Sequence, residues 1–213
     1  MTTIPYLQPG DLIYITAPAK AIEHEHVFFA KDLLEKKGFK VKISAHCLGQ
    51  FNYFSGTDEE RTSDFQAGMD DPEVKAILCA RGGYGCVRIV DKLNWAGMLR
   101  QPKWIIGFSD ITVFHHRMQK FNLPSIHGSV VLNFKDNSQE ALTTMVDALT
   151  GTLTEITATP HTNNQFGNAK GKLIGGNLSI VYSLLGTNDA LDFTDSILFI
   201  EDLAEHLYHI DRM

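Results

Sequence analysis

Short apolar runs alternate with amphipathic stretches as far as about Asn133. Leu12 to Thr16 is an apolar run ending at Ala17-Pro18, and in the following stretch, Glu23 to Lys37, Val27, Ala30 and Leu34 recur at helical spacing. A strand and then a helix are expected there. Glu23 and Glu25 in the first turn, Lys36 and Lys37 in the last and Gly38 just beyond agree with the helix dipole and a glycine cap. Phe39 to Ile43 reads as the next strand. In Thr57-Asp58-Glu59-Glu60 the Thr57 hydroxyl can accept from the Glu60 amide while the Glu60 carboxylate reaches back, a capping box that opens a helix from Asp58 to about Met69. Ala76 to Ala80 is continuously apolar and too short for a helix, as a strand covered on both faces of a parallel sheet would be. Val87 to Leu93 reads as helix and Lys103 to Gly107 as strand; Ile111, Phe114, Met118 and Phe121 form one helical stripe. The alternation predicts an α/β fold, a mostly parallel sheet flanked by helices.

Beyond about Asn133 the texture changes. A helical stretch from Ser138 to Leu149 precedes a Thr-rich segment from Thr152 to Thr157, containing Leu153 and Ile156, and then a polar stretch from His161 to Lys170. The expected division is an N-terminal α/β domain over 1–150, a linker over 151–170 and the start of a smaller C-terminal domain over 171–213. That last unit holds Gly175-Gly176-Asn177-Leu178-Ser179, an apolar helix through Leu185 and a buried strand from Ser196 to Glu201. About 43 residues are too few to close a core, so this unit reads as incomplete.

Composition narrows the function classes. In 213 residues, 44% apolar and 21% charged side chains match ordinary globular usage and argue against disorder. A net charge of −6 with no long basic run lacks the phosphate-neutralising surface that nucleic-acid binding requires. No stretch approaches the ~18 apolar residues of a spanning helix, and Met1 to Tyr6 has no basic leader followed by an apolar run, so neither a membrane nor an export segment is read and a cytoplasmic protein is expected. Cys47, Cys79 and Cys86 are odd in number and lack metal-ligand spacing, which suits reduced, buried thiols.

The chemistry concentrates at Gly107-Phe108-Ser109-Asp110, between an apolar strand and an amphipathic helix. A serine on such a strand-to-helix turn either exposes its hydroxyl above the sheet as a nucleophile or caps the helix. The match to the G-x-S-x-G elbow is partial, because Ile111 stands where the last glycine belongs. As a nucleophile, Ser109 would have the Asp110 amide and the helix dipole facing the developing oxyanion. Arg81-Gly82-Gly83-Tyr84-Gly85 follows a buried strand, where open α/β sheets put their ligands; its glycines let amides approach a bound group, although a tight turn accounts for them equally. The loop lacks the P-loop ending and the dinucleotide fingerprint. A serine nucleophile needs a base and an orienting carboxylate, and Glu201, ending an apolar strand, leads the carboxylates. The histidines leave the base open. His115 and His116 lie on the helix after Ser109, His127 ends a short strand, and His206 and His209 share a helix without the further ligands of a metal site. Surface or capping roles are the simpler account of most of the nine histidines.

Taken together, Phe54-Ser55-Gly56-Thr57-Asp58-Glu59-Glu60-Arg61, Asp71-Pro72, Ala80-Arg81-Gly82-Gly83-Tyr84-Gly85, Pro102-Lys103, Gly107-Phe108-Ser109-Asp110-Ile111-Thr112, His127-Gly128, Gly175-Gly176-Asn177-Leu178, Ile200-Glu201-Asp202 and Tyr208-His209-Ile210-Asp211-Arg212 resemble the LD-carboxypeptidase family, which includes microcin-immunity peptidases. The set runs in order through essentially the whole chain. The resemblance implies a flavodoxin-like N-terminal domain, a smaller C-terminal domain with a cleft between them, a homodimer, and no metal or organic cofactor. It implies a serine peptidase with a Ser-Glu-His triad that removes the terminal D-alanine from a cytoplasmic murein tetrapeptide in peptidoglycan recycling. By motif, Ser109 is then the nucleophile, Glu201 the orienting carboxylate, and the amides of Gly83 and Asp110 the oxyanion hole, with Arg81 and Tyr84 as substrate-binding candidates. In the family the triad histidine follows the Tyr208 to Arg212 motif. The expectation is therefore a truncated, impaired chain, or one in which His127 or His206 serves as base. The alternatives are a microcin-immunity type peptidase acting on a peptidyl nucleotide and a non-catalytic peptide-binding homologue.

Overall fold

The computed structural model describes residues 3–213. Five strands, β1 (Leu12–Thr16), β2 (Lys40–Ile43), β3 (Val74–Cys79), β4 (Trp104–Gly107) and β5 (Ile126–His127), form one parallel sheet in the order β2-β1-β3-β4-β5. The helices that follow them cover its faces: α1 (His24–Lys36), α2 (Asp58–Asp70), α3 (Cys86–Ile89), α4 (Ala96–Arg100) and α5 (Thr112–Lys120). The central strands β1, β3 and β4 are buried almost throughout, as their unbroken apolar sequence requires. The Thr57 capping box opens α2, with Glu60 N donating to Thr57 Oγ1 at 3.2 Å and Thr57 N donating to Glu60 Oε2 at 2.8 Å. The helix expected from Val87 to Leu93 is broken instead: α3 gives way to a 3₁₀ turn at Val90–Lys92, where the Trp95 indole donates to the Val90 carbonyl.

The strand order reverses between β1 and β3. At such a switch point the connecting loops diverge and leave a crevice outside the carboxyl ends of the strands. The loops that rise there are Ala17–Ala21 after β1, Arg81–Gly85 after β3 and Phe108–Asp110 after β4.

A further helix, α6 (Gln139–Thr150), is capped by Ser138, and its end is tied to the N-terminal segment by a bond from Leu7 N to Leu149 O. Residues 153–170 carry no regular structure and are largely exposed. Strands β6 (Lys172–Asn177) and β7 (Ser196–Glu201) then pair in parallel, joined through α7 (Leu178–Leu184), and α8 (Leu207–Arg212) follows.

Two expectations need correction here. β7 is not buried: Ile197, Leu198, Phe199 and Ile200 are all exposed, because the strand pairs only with β6 and the His127 ring at Phe199 and Glu201 covers it only in part. Nor does the surface or capping account of most histidines extend to His115 and His116. Both are buried in α5, where the His115 ring is hydrogen-bonded to the Gly107 carbonyl at 2.8 Å and the His116 ring to the Asp189 carbonyl at 3.0 Å. All three cysteines are free and buried, as their spacing suggests.

One buried cation locks the loops around the crevice. Arg61, only 1% exposed, donates to the carbonyls of Pro18, Gly56 and Gly85, pairs with Asp58 and stacks on Phe54 at 4.6 Å. Its removal leaves three carbonyls short of a donor, while Asp58 keeps Arg88 and Lys92. Arg61→Leu is therefore expected to cost about 3–5 kcal/mol in urea unfolding, from buried carbonyls left unsatisfied at about 1–3 kcal/mol each; a loss below about 1 kcal/mol would show that the loops hold without it.

Candidate active site

The turn after β4 is strained. Phe108 is extended, and Ser109 then takes a left-handed φ of +62° before a 3₁₀ turn at Ser109–Ile111 leads into α5. Asn52, Asn122, Asp195 and Ala204 share positive φ; Asn and Asp tolerate it, and Ala204 lies in the exposed bend between β7 and α8, away from this turn. A serine does not, and the conformation costs roughly 1–3 kcal/mol that its surroundings must offset. The Ser109 hydroxyl makes no capping bond, so the alternative of a simple helix cap is not what the chain adopts.

The glycine-rich loop lies directly over this turn. A Cβ at Gly82 would stand 3.1 Å from Ser109 Cβ and 3.3 Å from its Oγ, so only glycine permits the approach without displacing the serine. The Asp110 carboxylate fixes the two segments in register by accepting from Cys86 N at 2.9 Å, at the first residue of α3. Burial raises the Asp110 pKa, opposed by that amide. Arg81 braces the loop from the other side, its Nη1 donating to the Ala21 carbonyl at 2.8 Å. Tyr84 stands exposed at the loop tip, its ring 6.3 Å from that of Phe54.

Glu201 reaches the same region through the second sheet. Gly176 in β6 has φ +140°, and a Cβ there would lie 2.6 Å from Thr112 Oγ1. This close approach lets Asn177 N donate to Thr112 Oγ1 at 3.0 Å, three residues beyond Ser109. Asn177 is registered with Glu201 across β6 and β7, so the carboxylate is carried toward the turn. There it meets His127, itself registered with Gly107 across β4 and β5: His127 Nε2 lies 3.5 Å from Glu201 Oε1. That separation is longer than a full hydrogen bond, a common state of catalytic contacts before a ligand tightens them. Glu201 Oε1 and His127 Nδ1 are both enclosed without a partner. Beside them opens a cleft of about 270 Å³ lined by Phe108, His127, Gly128, Ser129, Asn133 and Glu201.

The structure thus gathers Ser109, Asp110, Gly83, Arg81, Glu201 and His127 at the carboxyl ends of the strands. His115 sits behind the turn, bonded to Gly107, and His209 pairs with Glu205 while His206 stacks on Tyr208. Among the described residues no group of three or more potential metal ligands is clustered. Sequence reasoning missed the bridging by Thr112 and Asn177. The available signal was Asn177 preceding a helix, where it caps α7 by accepting from Ile180 N.

The buried histidines make stability sensitive to acid. Burial lowers the pKa of His115 to about 3 and of His127 to about 4, and lowers that of His116 as well. The unfolded chain, with ordinary imidazoles near 6.5, binds more protons between about pH 6.5 and 4. Stability is therefore full above this window and falls as pH drops through it, by up to about 1.4 kcal/mol per pH unit each for His115 and His127, with His116 acting in the same direction. Urea midpoints between pH 7 and pH 5 are expected to follow, and His127→Gln is expected to flatten the dependence. An unchanged slope in that variant would assign the acid sensitivity elsewhere.

Comparison with known proteins agrees with this architecture. The LD-carboxypeptidase N-terminal domain matches residues 13–128 and the LD-carboxypeptidase C-terminal domain matches residues 170–213. A Bacillus subtilis protein named as a probable murein peptide carboxypeptidase is 35% identical over 222 residues, covering 97% of this chain and 67% of the relative. The murein tetrapeptide carboxypeptidase of Pseudomonas aeruginosa is 32% identical, covering 96% and 71%. The crystal structure of muramoyltetrapeptide carboxypeptidase from Oxalobacter formigenes superposes with a TM-score of 0.82 at 27% identity, over 94% of this chain and 69% of that one. With both of its domain matches in chain order and the five-stranded parallel sheet within the first of them, the chain belongs to the LD-carboxypeptidase family.

Proposed function

We propose that the protein is a serine-type LD-carboxypeptidase that hydrolyses the terminal D-alanine of a murein tetrapeptide. In this reading it works in the cytoplasm, in peptidoglycan recycling, and as a homodimer. The observation that carries it is the left-handed Ser109 lying beneath the Gly82–Gly83 loop, with Glu201 drawn to the same end of the sheet. Ser109 Oγ attacks the scissile carbonyl, and the N–H groups of Gly83 and Asp110 hold the oxyanion. As that intermediate collapses D-alanine leaves, carrying the proton taken from Ser109, and water then hydrolyses the acyl-enzyme to release the shortened peptide and restore the serine hydroxyl. Glu201 orients the base.

His127 supports Glu201 and is not itself assigned as the base. Its Nε2 is turned to the carboxylate, its Nδ1 is enclosed, and a pKa near 4 leaves it a weak proton acceptor. The resemblance assigns the base to a histidine following the Tyr208 to Arg212 motif, and none of the described histidines is proposed for that role. Without an engaged base, a triad retains only its oxyanion and binding contributions, about 10⁴ to 10⁶ below full rate.

Chemical rescue tests this reading. D-alanine release from murein tetrapeptide by the 213-residue chain is expected to rise with added imidazole, and the rise is expected to vanish in Ser109→Ala. Release that is indifferent to Ser109→Ala would overturn the assignment. Full release without imidazole, lost in His127→Asn, would move the base to His127.

A further inference from the structure

An enzyme that acts only at a peptide's end must recognise a free carboxylate close to the bond it cuts. From standard bond lengths, that carboxylate carbon lies within roughly 4 Å of the carbonyl carbon under attack. The cation that reads it must therefore stand beside the oxyanion donors. Of the cations along the glycine loop, Arg61 is committed to the Gly85 carbonyl and Asp58, which leaves Arg81 and Lys20. Arg81 already commits Nη1 to the Ala21 carbonyl, where it joins the loops on either side of the switch point.

Lys20 is differently disposed. It lies four residues past β1, and its alkyl chain runs along Gly83 so closely that a Cβ there would meet Cδ at 2.6 Å and Cε at 2.9 Å. Ser109 lies against the adjacent Gly82, so one peptide unit separates the lysine chain from the serine. Nearby cations have acids: Arg61, Arg88 and Lys92 all converge on Asp58. Among the described residues the Lys20 ammonium has neither a carboxylate partner nor a hydrogen bond, and its neighbour is the Tyr53 ring at 5.8 Å. In a chain with 25 acidic and 19 basic side chains, a half-buried lysine without an acid at the mouth of the crevice is a recognition element left open for an anion.

We propose that Lys20 reads the terminal carboxylate of the peptide, with its alkyl chain held against Gly83 and its ammonium over the residue to be released. The assignment rests on Ser109 as the nucleophile. It makes Lys20 the determinant of end-specific cleavage, while Arg81 braces the loop.

Calorimetric titration in the Ser109→Ala chain separates the two claims. The probes are murein tetrapeptide ending in D-alanine, its C-terminal amide, and an all-L tripeptide acid. The acid form is expected to bind more tightly than the amide. Lys20→Met keeps the alkyl packing on Gly83 and is expected to weaken the acid about 10- to 100-fold, the span of one charge-assisted hydrogen bond, without changing the amide. Lys20→Arg is expected to restore most of the difference. If Lys20→Met, folded by circular dichroism, binds the acid as tightly as its parent, the role of Lys20 is overturned and the Ser109 reading is untouched. If only the all-L acid binds, and does so through Lys20, the carboxylate site stands and the murein substrate falls. If acid and amide bind alike, or no peptide binds, the proposal is wrong.

Discussion

The architecture of the site depends on one backbone conformation, the left-handed turn at Ser109. A serine with φ near +60° is held there only if its surroundings supply more than the strain removes. Three features do so. Gly82 closes over the side chain, Asp110 reaches across to the first amide of α3, and the Ile111 amide donates to Phe108 to start the helical turn. Gly83 and Asp110, whose amides are the proposed oxyanion donors, directly follow the two residues in this close contact, Gly82 and Ser109. Behind them Arg61 ties the loops together, which keeps this end of the sheet rigid although it is built of turns.

The second sheet contributes by close approach. Without a side chain, Gly176 lets β6 come against Thr112, and the parallel register of β6 with β7 carries this placement to Glu201. The carboxylate and His127 meet in a half-buried setting that disfavours charge on both: burial raises the Glu201 pKa and lowers that of His127. Their 3.5 Å separation is longer than a full hydrogen bond, and each keeps an enclosed atom without a partner.

Much of the fold is legible in the sequence because local and long-range signals agree. The Thr57 capping box, the apolar run from Ala76 to Ala80 and the stripe of Ile111, Phe114, Met118 and Phe121 specify elements that tertiary packing then uses with their ends slightly shifted. Ser109 is legible as a turn residue, but its left-handed backbone is not, since no periodicity encodes φ. The exposed face of β7 escapes such a reading because an apolar run is the same whether or not another layer covers it. His115 and His116 escape it for a related reason: the carbonyls that partner their buried rings belong to Gly107 and Asp189, outside α5. Lys20 carries no motif at all, and its significance arises only from where the switch point places the loop after β1.

In the proposed reaction the hydroxyl beneath Gly82 attacks the terminal peptide bond. This attack is tested most directly by a crystal structure of the Ser109→Ala protein with an intact murein tetrapeptide. The account predicts the scissile carbonyl carbon about 3 Å from the point the serine oxygen occupies in the parent protein, near-attack distance, with the carbonyl oxygen accepting from the N–H groups of Gly83 and Asp110. A tetrapeptide bound elsewhere, or lying with its carbonyl turned away from both amides, would contradict it.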